Sequence, residues 1–308
     1  MKSIATLTMN PTIDVAYEVE SVFHTQKMRA VEELYAPGGG GINVTRVFVR
    51  LGGNARCYYL SGGATGPALD GLLDLHQIVR MRVPIAEPTR LATTMFEKAS
   101  GKEYRIVPPG PMVTPEEWGQ CLEMLEQVDC DYLVASGSLP RGVPHDFYVR
   151  VGEIMRARGI GMVLDTSGVP LKACLAAGGV LLAKPNLREL GQIVGRELET
   201  ADEAEQAATE IVNNGQAEMI AVTLGHKGAV FVSRDATLQL PPIEAEVQSA
   251  VGAGDSFVAG MVYGLAVGWE PLKAFRYGMA AGTAAVLTPG TNLAYPADIE
   301  RLYASISD

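Results

Sequence analysis

The sequence has little of what marks metal, disulfide or membrane chemistry. Four cysteines, Cys57, Cys121, Cys130 and Cys174, occur in 308 residues, and no two stand at Cys-x-x-Cys spacing. That is too sparse for a disulfide scaffold and points to buried free thiols in a reducing cytoplasm. The four histidines, His24, His76, His145 and His226, are scattered, which argues against a zinc site. Met1-Lys2-Ser3-Ile4 runs straight into a strand pattern without a long apolar stretch, so no signal peptide is expected. The most apolar runs, near 257–268 and 279–287, fall short of the ~18 residues a membrane span requires. There is no excess of positive charge. The net charge of −10 argues against nucleic acid and anionic membrane as partners, though a few local cations can still hold a phosphorylated small molecule. No Gly-Lys-Ser/Thr of a Walker loop occurs at the glycine turn near residue 252, and Phe257 stands where a dinucleotide fingerprint needs its third glycine.

What is present is apolar, at 47%, and glycine-punctuated. The most informative stretch is Val251-Gly252-Ala253-Gly254-Asp255-Ser256, followed by an apolar run from Phe257 to Val267. Two glycines ahead of a helix permit a tight turn whose backbone N–H groups point outward. At the positive end of a helix dipole such donors form an anion site. Asp255, in the same first turn, suits a base that takes a hydroxyl proton while the donors hold a transferring phosphoryl group. Read alone, the hexapeptide equally allows a plain turn with an acidic first-turn residue.

Along the chain, a first strand over 2–8 ends at Asn10-Pro11, and Asp14 follows. Asp14 reads as an acceptor for a ligand hydroxyl just past a strand end, or as an Asx turn. Residues 15–36 alternate weakly and carry Lys27 and Arg29. Pro37-Gly38-Gly39-Gly40-Gly41-Ile42-Asn43 then offers backbone that a ligand can approach without side-chain obstruction. From Asn43 a helix is expected, with Val44, Val47, Phe48 and Leu51 on one face and Gly52 at its C-terminal end. A hairpin is expected over 91–97 and 102–107, flanked by Arg90 and Arg105. These two arginines, with Lys27 and Arg29, make a candidate basic cluster for a sugar phosphate.

From Thr114 the pattern is regular. Strands at 131–135, 160–164, 180–183 and 219–223 alternate with helices at 114 onward, 145–158, 169–177, 187–194 and 200–214, and a hairpin fills 229–240. The helix after Thr114 opens with a capping box and Pro115. This alternation implies a doubly wound, mostly parallel α/β sheet covered on both faces, with ligands beyond the strand ends. There lie Ser138, Lys184-Pro185-Asn186, and Thr223 to Gly228. One domain is expected over 1–308, with a small β lid inserted from about 15–36 and 89–107.

Taken together, Gly38-Gly39-Gly40-Gly41-Ile42-Asn43, Ser136-Gly137-Ser138-Leu139-Pro140, Lys184-Pro185-Asn186 to Glu189, Thr223-Leu224-Gly225 and Gly252-Ala253-Gly254-Asp255 resemble the PfkB carbohydrate kinases of the ribokinase-like fold. The resemblance spans essentially the whole chain. It implies ATP-dependent phosphorylation of a sugar phosphate. The four-glycine run favours the 1-hydroxyl of fructose 6-phosphate. Members acting on tagatose 6-phosphate or fructose 1-phosphate are similar but carry a lysine within that run. The resemblance further implies Asp255 as general base, and Gly252, Ala253 and Gly254 amides as the anion hole. Asp14, Gly39, Asn43 and Ser138 would hold the sugar, and Arg90, Arg105, Lys27 and Arg29 its phosphate. Lys184, Asn186, Thr223 and Gly225 would line the ATP site, with Asn186 and Glu189 organising Mg²⁺ through water. A K⁺ site near Ser249, Val251, Ala285 and Gly290, a homodimer formed through the lid and a cytoplasmic location complete what it implies. A sensor that binds the sugar phosphate without turnover is the competing class, which a retained base at Asp255 disfavours.

Overall fold

The structure, a computed structural model, describes residues 1–306. Its main sheet has nine strands in the order β13-β12-β11-β10-β9-β8-β1-β4-β5. The strands are β1 (Ile4–Thr8), β4 (Ala55–Gly62), β5 (Val79–Ile85), β8 (Tyr132–Ser136), β9 (Gly161–Asp165), β10 (Val180–Ala183), β11 (Ala217–Thr223), β12 (Ala229–Ser233) and β13 (Thr237–Leu240). From β11 to β5 every pairing is parallel, and β12 and β13 close one edge antiparallel. The chain leaves β1 toward β4 on one side and later builds β8 to β11 on the other. The order therefore reverses at β1/β8, the point where open α/β sheets leave a crevice for ligands.

Both faces of this sheet are covered, so its strands read as continuous apolar runs. One core holds Leu7, Leu133, Leu164 and Ile220 against α3 (Pro115–Glu126), α4 (Phe147–Ala157), α5 (Gly168–Ala177), α6 (Leu187–Val194) and α7 (Ala201–Asn213). The alternate residues Ile4, Val134, Val163 and Leu182 pack on the other face, against α1 (Gly40–Arg50), α8 (Ala253–Ala266), α9 (Pro271–Val286) and α10 (Pro296–Tyr303). The helix pair α8/α9 is close-packed because small residues meet: a Cβ on Gly260 would stand 2.6 Å from that of Ala281, and one on Gly264 2.8 Å from that of Ala274. Among the described residues no helix is long and apolar enough to cross a membrane.

A second, four-stranded sheet has the order β3-β2-β6-β7, from β2 (Thr12–Val19), β3 (Glu32–Gly38), β6 (Arg90–Glu97) and β7 (Lys102–Ile106). Strands β2 and β6 are parallel, and the outer pairings are antiparallel. Its base rests on a small core of Ile13, Val15, Ile42, Cys57, Tyr59, Leu69 and Leu73, the last two from α2 (Gly66–Leu75). The four cysteines are free.

The sequence reading needs three corrections here. Asp14 does not sit beyond a strand end: it lies inside β2, paired with Ala36 and Ala92. The helix expected from Asn43 begins at Gly40, so Asn43 is a buried first-turn residue. Strand β5 went unread because Val-Arg-Met-Arg-Val-Pro-Ile combines charge with Pro84. Both are tolerated because β5 is an edge.

Candidate active site

The crevice at the strand ends is organised by the first turn of α8. Gly252, with φ 72°, takes a left-handed conformation that a side chain resists, and it turns the chain into the helix. A Cβ there would also run into Leu293. Helix geometry leaves the first amides without intrahelical partners, and the Gly252, Gly254 and Asp255 N–H groups make no hydrogen bond among the described residues. Ala253 departs from the expectation: its N–H turns back to the Ala250 carbonyl at 3.4 Å. The free donors at the helix mouth are thus Gly252, Gly254 and Asp255 itself.

Asp255 sits half-buried at the same mouth. Its Oδ2 accepts a 2.9 Å hydrogen bond from Asn43 Nδ2 on α1, across 212 residues of chain, while its Oδ1 has no partner among the described residues. Burial pushes its carboxyl well above the ordinary carboxylate value. The negative charge of Asp165 adds to that, and the Asn43 bond and Lys184 oppose it. Lys184 is a buried ammonium 3.1 Å from Asp165 Oδ1. It lies directly under the anion site, since a Cβ on Gly254 would come within 3.3 Å of its Nζ. Glycine at 254 therefore lets the helix mouth approach a cation. Asp165 ends β9, as Lys184 follows β10, so both side chains are placed by the parallel sheet.

On one side of α8 opens a cavity of about 550 Å³ whose lining includes Asn186, Thr223, Gly225, Ala253 and Gly254. Its apolar wall comes from Ile243, Val247, Phe257, Met279 and Val286. Such a slot, apolar with polar groups at one end, is the form of a site for a flat ring bearing an anionic tail. Lys184 lies beneath it and does not line it. Asn186 and Glu189 are three apart at the start of α6 and form a capping box, each side chain bonding the other's backbone N–H at 2.8 and 2.9 Å. Glu189 Oε1 is left free among the described residues, and burial raises the carboxyl above its usual value.

On the other side stands Asp14. Burial pushes its carboxyl up to about 6, against the pull of Arg46, Arg90 and Arg105. Gly38 is glycine because a Cβ would strike the Asp14 carboxylate. The glycine run mostly serves packing within the protein: Gly40 abuts Ser136, and Gly41 abuts the Leu7 carbonyl. Gly39, with φ 110°, caps α1.

Ser138 Oγ accepts from Asn10 Nδ2 at 3.2 Å. Of the four expected phosphate-binding cations, Arg90 and Arg105 lie near enough to Asp14 to act on it. Arg90 is not a free fork, since its two terminal nitrogens donate to the Pro108 and Asn10 carbonyls at 2.9 and 2.8 Å. Lys27 and Arg29, in the exposed β2–β3 connection, make no ion pair among the described residues and are not brought to Asp14 within this chain.

The two loops expected to hold a monovalent cation do meet, with Gln248 N–H on the Val286 carbonyl at 2.8 Å. In the expected set, the Ala285 carbonyl accepts from the Thr288 N–H and the Thr288 hydroxyl. Ser249 Oγ holds the Val251 N–H at 3.2 Å. Residues the sequence reading did not place in the site are Asp165, Arg46 and the apolar wall of Ile243, Val247, Phe257, Met279 and Val286. Asp165 had a signal, as an acid at the end of a parallel strand. The wall had none, because Ile243 and Val247 lie in irregular backbone and Phe257, Met279 and Val286 belong to the nearly continuous apolar pattern of α8 and α9.

Residues 6–298 match the pfkB family carbohydrate kinase domain. The chain belongs to the pfkB family of carbohydrate kinases. It is 43% identical over 302 residues to the ATP-dependent 6-phosphofructokinase isozyme 2 of Mycobacterium tuberculosis, covering 97% of this chain and 88% of that one. It is 38% identical to the isozyme 2 enzyme of Escherichia coli strain K12 over the full length of both. Crystal structures of the E. coli enzyme with fructose-6-phosphate and with potassium superpose at TM-scores of 0.94, with 37% and 38% identity over 100% and 99% of both chains. Its tetrameric inhibited form superposes at 0.93, with 38% identity over 99% of both chains. The 1-phosphofructokinase of Bacillus subtilis is more distant, at 29% over 91% of each chain.

Proposed function

We propose that the protein transfers the terminal phosphoryl group of ATP to the 1-hydroxyl of fructose 6-phosphate, making fructose 1,6-bisphosphate. The observation that carries this reading is the helix mouth where Asp255 and three unpaired amides share one turn, between the 550 Å³ cavity and Asp14. ATP would place its base against the apolar wall and its phosphates toward Gly252 and Gly254. The sugar would lie toward Asp14, Gly39, Asn43 and Ser138, with its phosphate near Arg90 and Arg105. Asp255 Oδ1 would take the hydroxyl proton as the new O–P bond forms and the bond from the terminal phosphorus to the bridging oxygen breaks. The α8 amides hold the charge spread over the equatorial oxygens, and Lys184 counters it from below. Positioning and charge stabilisation of this kind are what phosphoryl transfer requires.

Among the described residues no cluster of three or more His, Cys, Asp or Glu side chains is placed to bind a metal directly. That fits Mg²⁺, which keeps several waters and is shared with nucleotide phosphates. Glu189 Oε1 and Asn186 would hold it through water, where it neutralises phosphate charge. A monovalent cation at Ser249, Val251 and Gly290 is part of the proposal, supported by the potassium-bound E. coli structure. So is assembly with a second copy through the small sheet, whose Leu34, Tyr35, Leu91, Phe96, Tyr104 and Ile106 are exposed. A cytoplasmic setting agrees with the free cysteines.

A coupled ATP-consumption assay over fructose 6-phosphate, tagatose 6-phosphate and fructose 1-phosphate, with and without K⁺, tests the assignment. Asp255→Asn is expected to lower kcat by about 10²-fold or more with a modest change in KM. Wild-type turnover in that variant removes Asp255 from the chemistry. Binding of the sugar phosphate with no ATP consumption in the unmodified protein makes it a sensor.

A further inference from the structure

A buried charge is normally paired, because desolvation is costly. Arg46 is only 3% exposed and has no ion pair among the described residues. Its fork instead spends three hydrogen bonds on neutral acceptors. Nη1 donates to the Pro37 carbonyl at 3.0 Å and to Asn43 Oδ1 at 3.3 Å, and Nη2 donates to the Thr291 carbonyl at 3.2 Å. Nε, also buried, has no partner. One guanidinium thus ties the end of β3, the first turn of α1 and the loop between α9 and α10. Burial lowers its pKa only to about 10, so it stays charged at neutral pH.

The bond to Asn43 matters most. A carboxamide can face a carboxylate with its NH₂ or with its oxygen, and only the first is attractive. A cationic donor fixed on Asn43 Oδ1 leaves Nδ2 as the end that meets Asp255. We infer that Arg46 is a positioning residue for the reaction: it fixes the Asn43 amide so that Nδ2 holds Asp255 Oδ2 and leaves Oδ1 to accept the substrate proton. Helical spacing makes this possible, since residues 43 and 46 are three apart on one face of α1. The groups that bear on Asp255 are Asp165 and Lys184 from the strand ends, Asp14 from β2, and Asn43 and Arg46 from α1. Among these only Asn43 donates a hydrogen bond to Asp255, and Arg46 acts on it through Asn43.

The inference rests on Asp255 being the base, and Asp255→Asn checks that separately: normal turnover there defeats the base assignment, whatever Arg46 does. With that variant inactive, Arg46→Gln and Arg46→Lys are compared with wild type by kcat, KM for both substrates and the acid limb of kcat/KM. Loss of the fork is expected to lower kcat about 10- to 100-fold through misplacement of the base. KM for ATP should stay within about threefold. The acid limb should move to higher pH, because Asp255 loses a bond that favours its charged form. Lys is expected to recover part of the loss, since it keeps a charge but not the fork. In an Asn43→Ala background, Arg46→Gln should change kcat by less than about twofold, because its partner is already gone. A folded Arg46→Gln enzyme with unchanged kcat and acid limb overturns the inference. So does a double variant whose loss is the product of the two single losses.

Discussion

The two sheets obey different rules. In the nine-stranded sheet both faces are sealed, and strands such as β8 and β10 are nearly inaccessible from end to end. In the four-stranded sheet β7 is exposed along its whole length, and β3 becomes buried only at Ala36-Pro37-Gly38. The first sheet is therefore a rigid platform that fixes Asp165, Lys184 and the mouth of α8. The second is anchored at its base, carries Asp14 on the anchored part, and leaves apolar side chains exposed on both faces, Leu34 and Phe96 on the face that bears Asp14. On the proposed reading, the base belongs to the sealed platform and the sugar lies between the two sheets.

This contrast can be broken at either sheet. The largest effect should follow truncation in the platform: Leu182→Ala, at a 1% exposed site in β10, is expected to cost about 2–5 kcal/mol in denaturant unfolding, with loss of activity following loss of fold. A cost under 1 kcal/mol would mean the platform is loosely packed.

A smaller effect, and of opposite sign, is expected at Asp14. Its folded pKa of about 6 lies above the unfolded value of 3.8, so the folded state binds the proton more tightly. Stability from this group is then present below about 4 and is lost as pH rises through about 6. Asp14→Asn should therefore stabilise the protein at pH 8 by on the order of 2 kcal/mol, with no gain near pH 4, while raising KM for the sugar phosphate. Thermal unfolding at the two pH values, set beside kinetics, checks both halves. Destabilisation at pH 8 would show that Asp14 is structural.

The smallest effect on folding should come from the open face of the second sheet. Leu34→Glu is expected to change monomer stability by no more than about 0.5 kcal/mol, yet to shift sedimentation to the mass of a single chain. An unchanged sedimentation profile would show that this sheet does not carry self-association.

Legibility followed the same division. The elements of the platform could be read from period and caps: the capping box at Thr114 stands where α3 begins, and the structure has two more at Asn186 and Thr200. The glycine turn before Asp255 was readable because its backbone conformation demands glycine. Asp14 was placed wrongly, since one acidic residue after Asn-Pro does not say whether the chain turns or starts a new strand. The run at 38–41 read as an open cradle, whereas most of its glycines are there because Asp14, Ser136 and Leu7 crowd against them. Arg90 read as a free cation, and only the fold shows that the Pro108 and Asn10 carbonyls already hold it.

Local sequence was sufficient for the alternation of strands and helices, for the helix mouth at 252–255 and for the family to which the motifs belong, because each depends on backbone preferences within a few residues. Tertiary structure alone decided that Asn43 reaches Asp255 across 212 residues, that Lys184 lies beneath Gly254, and that Arg46 is buried on neutral hydrogen-bond acceptors, with Asp14 and Asp255 acting on it from beyond ion-pair distance. Those are properties of distance and desolvation, and both are set only when distant parts of the chain are packed against one another.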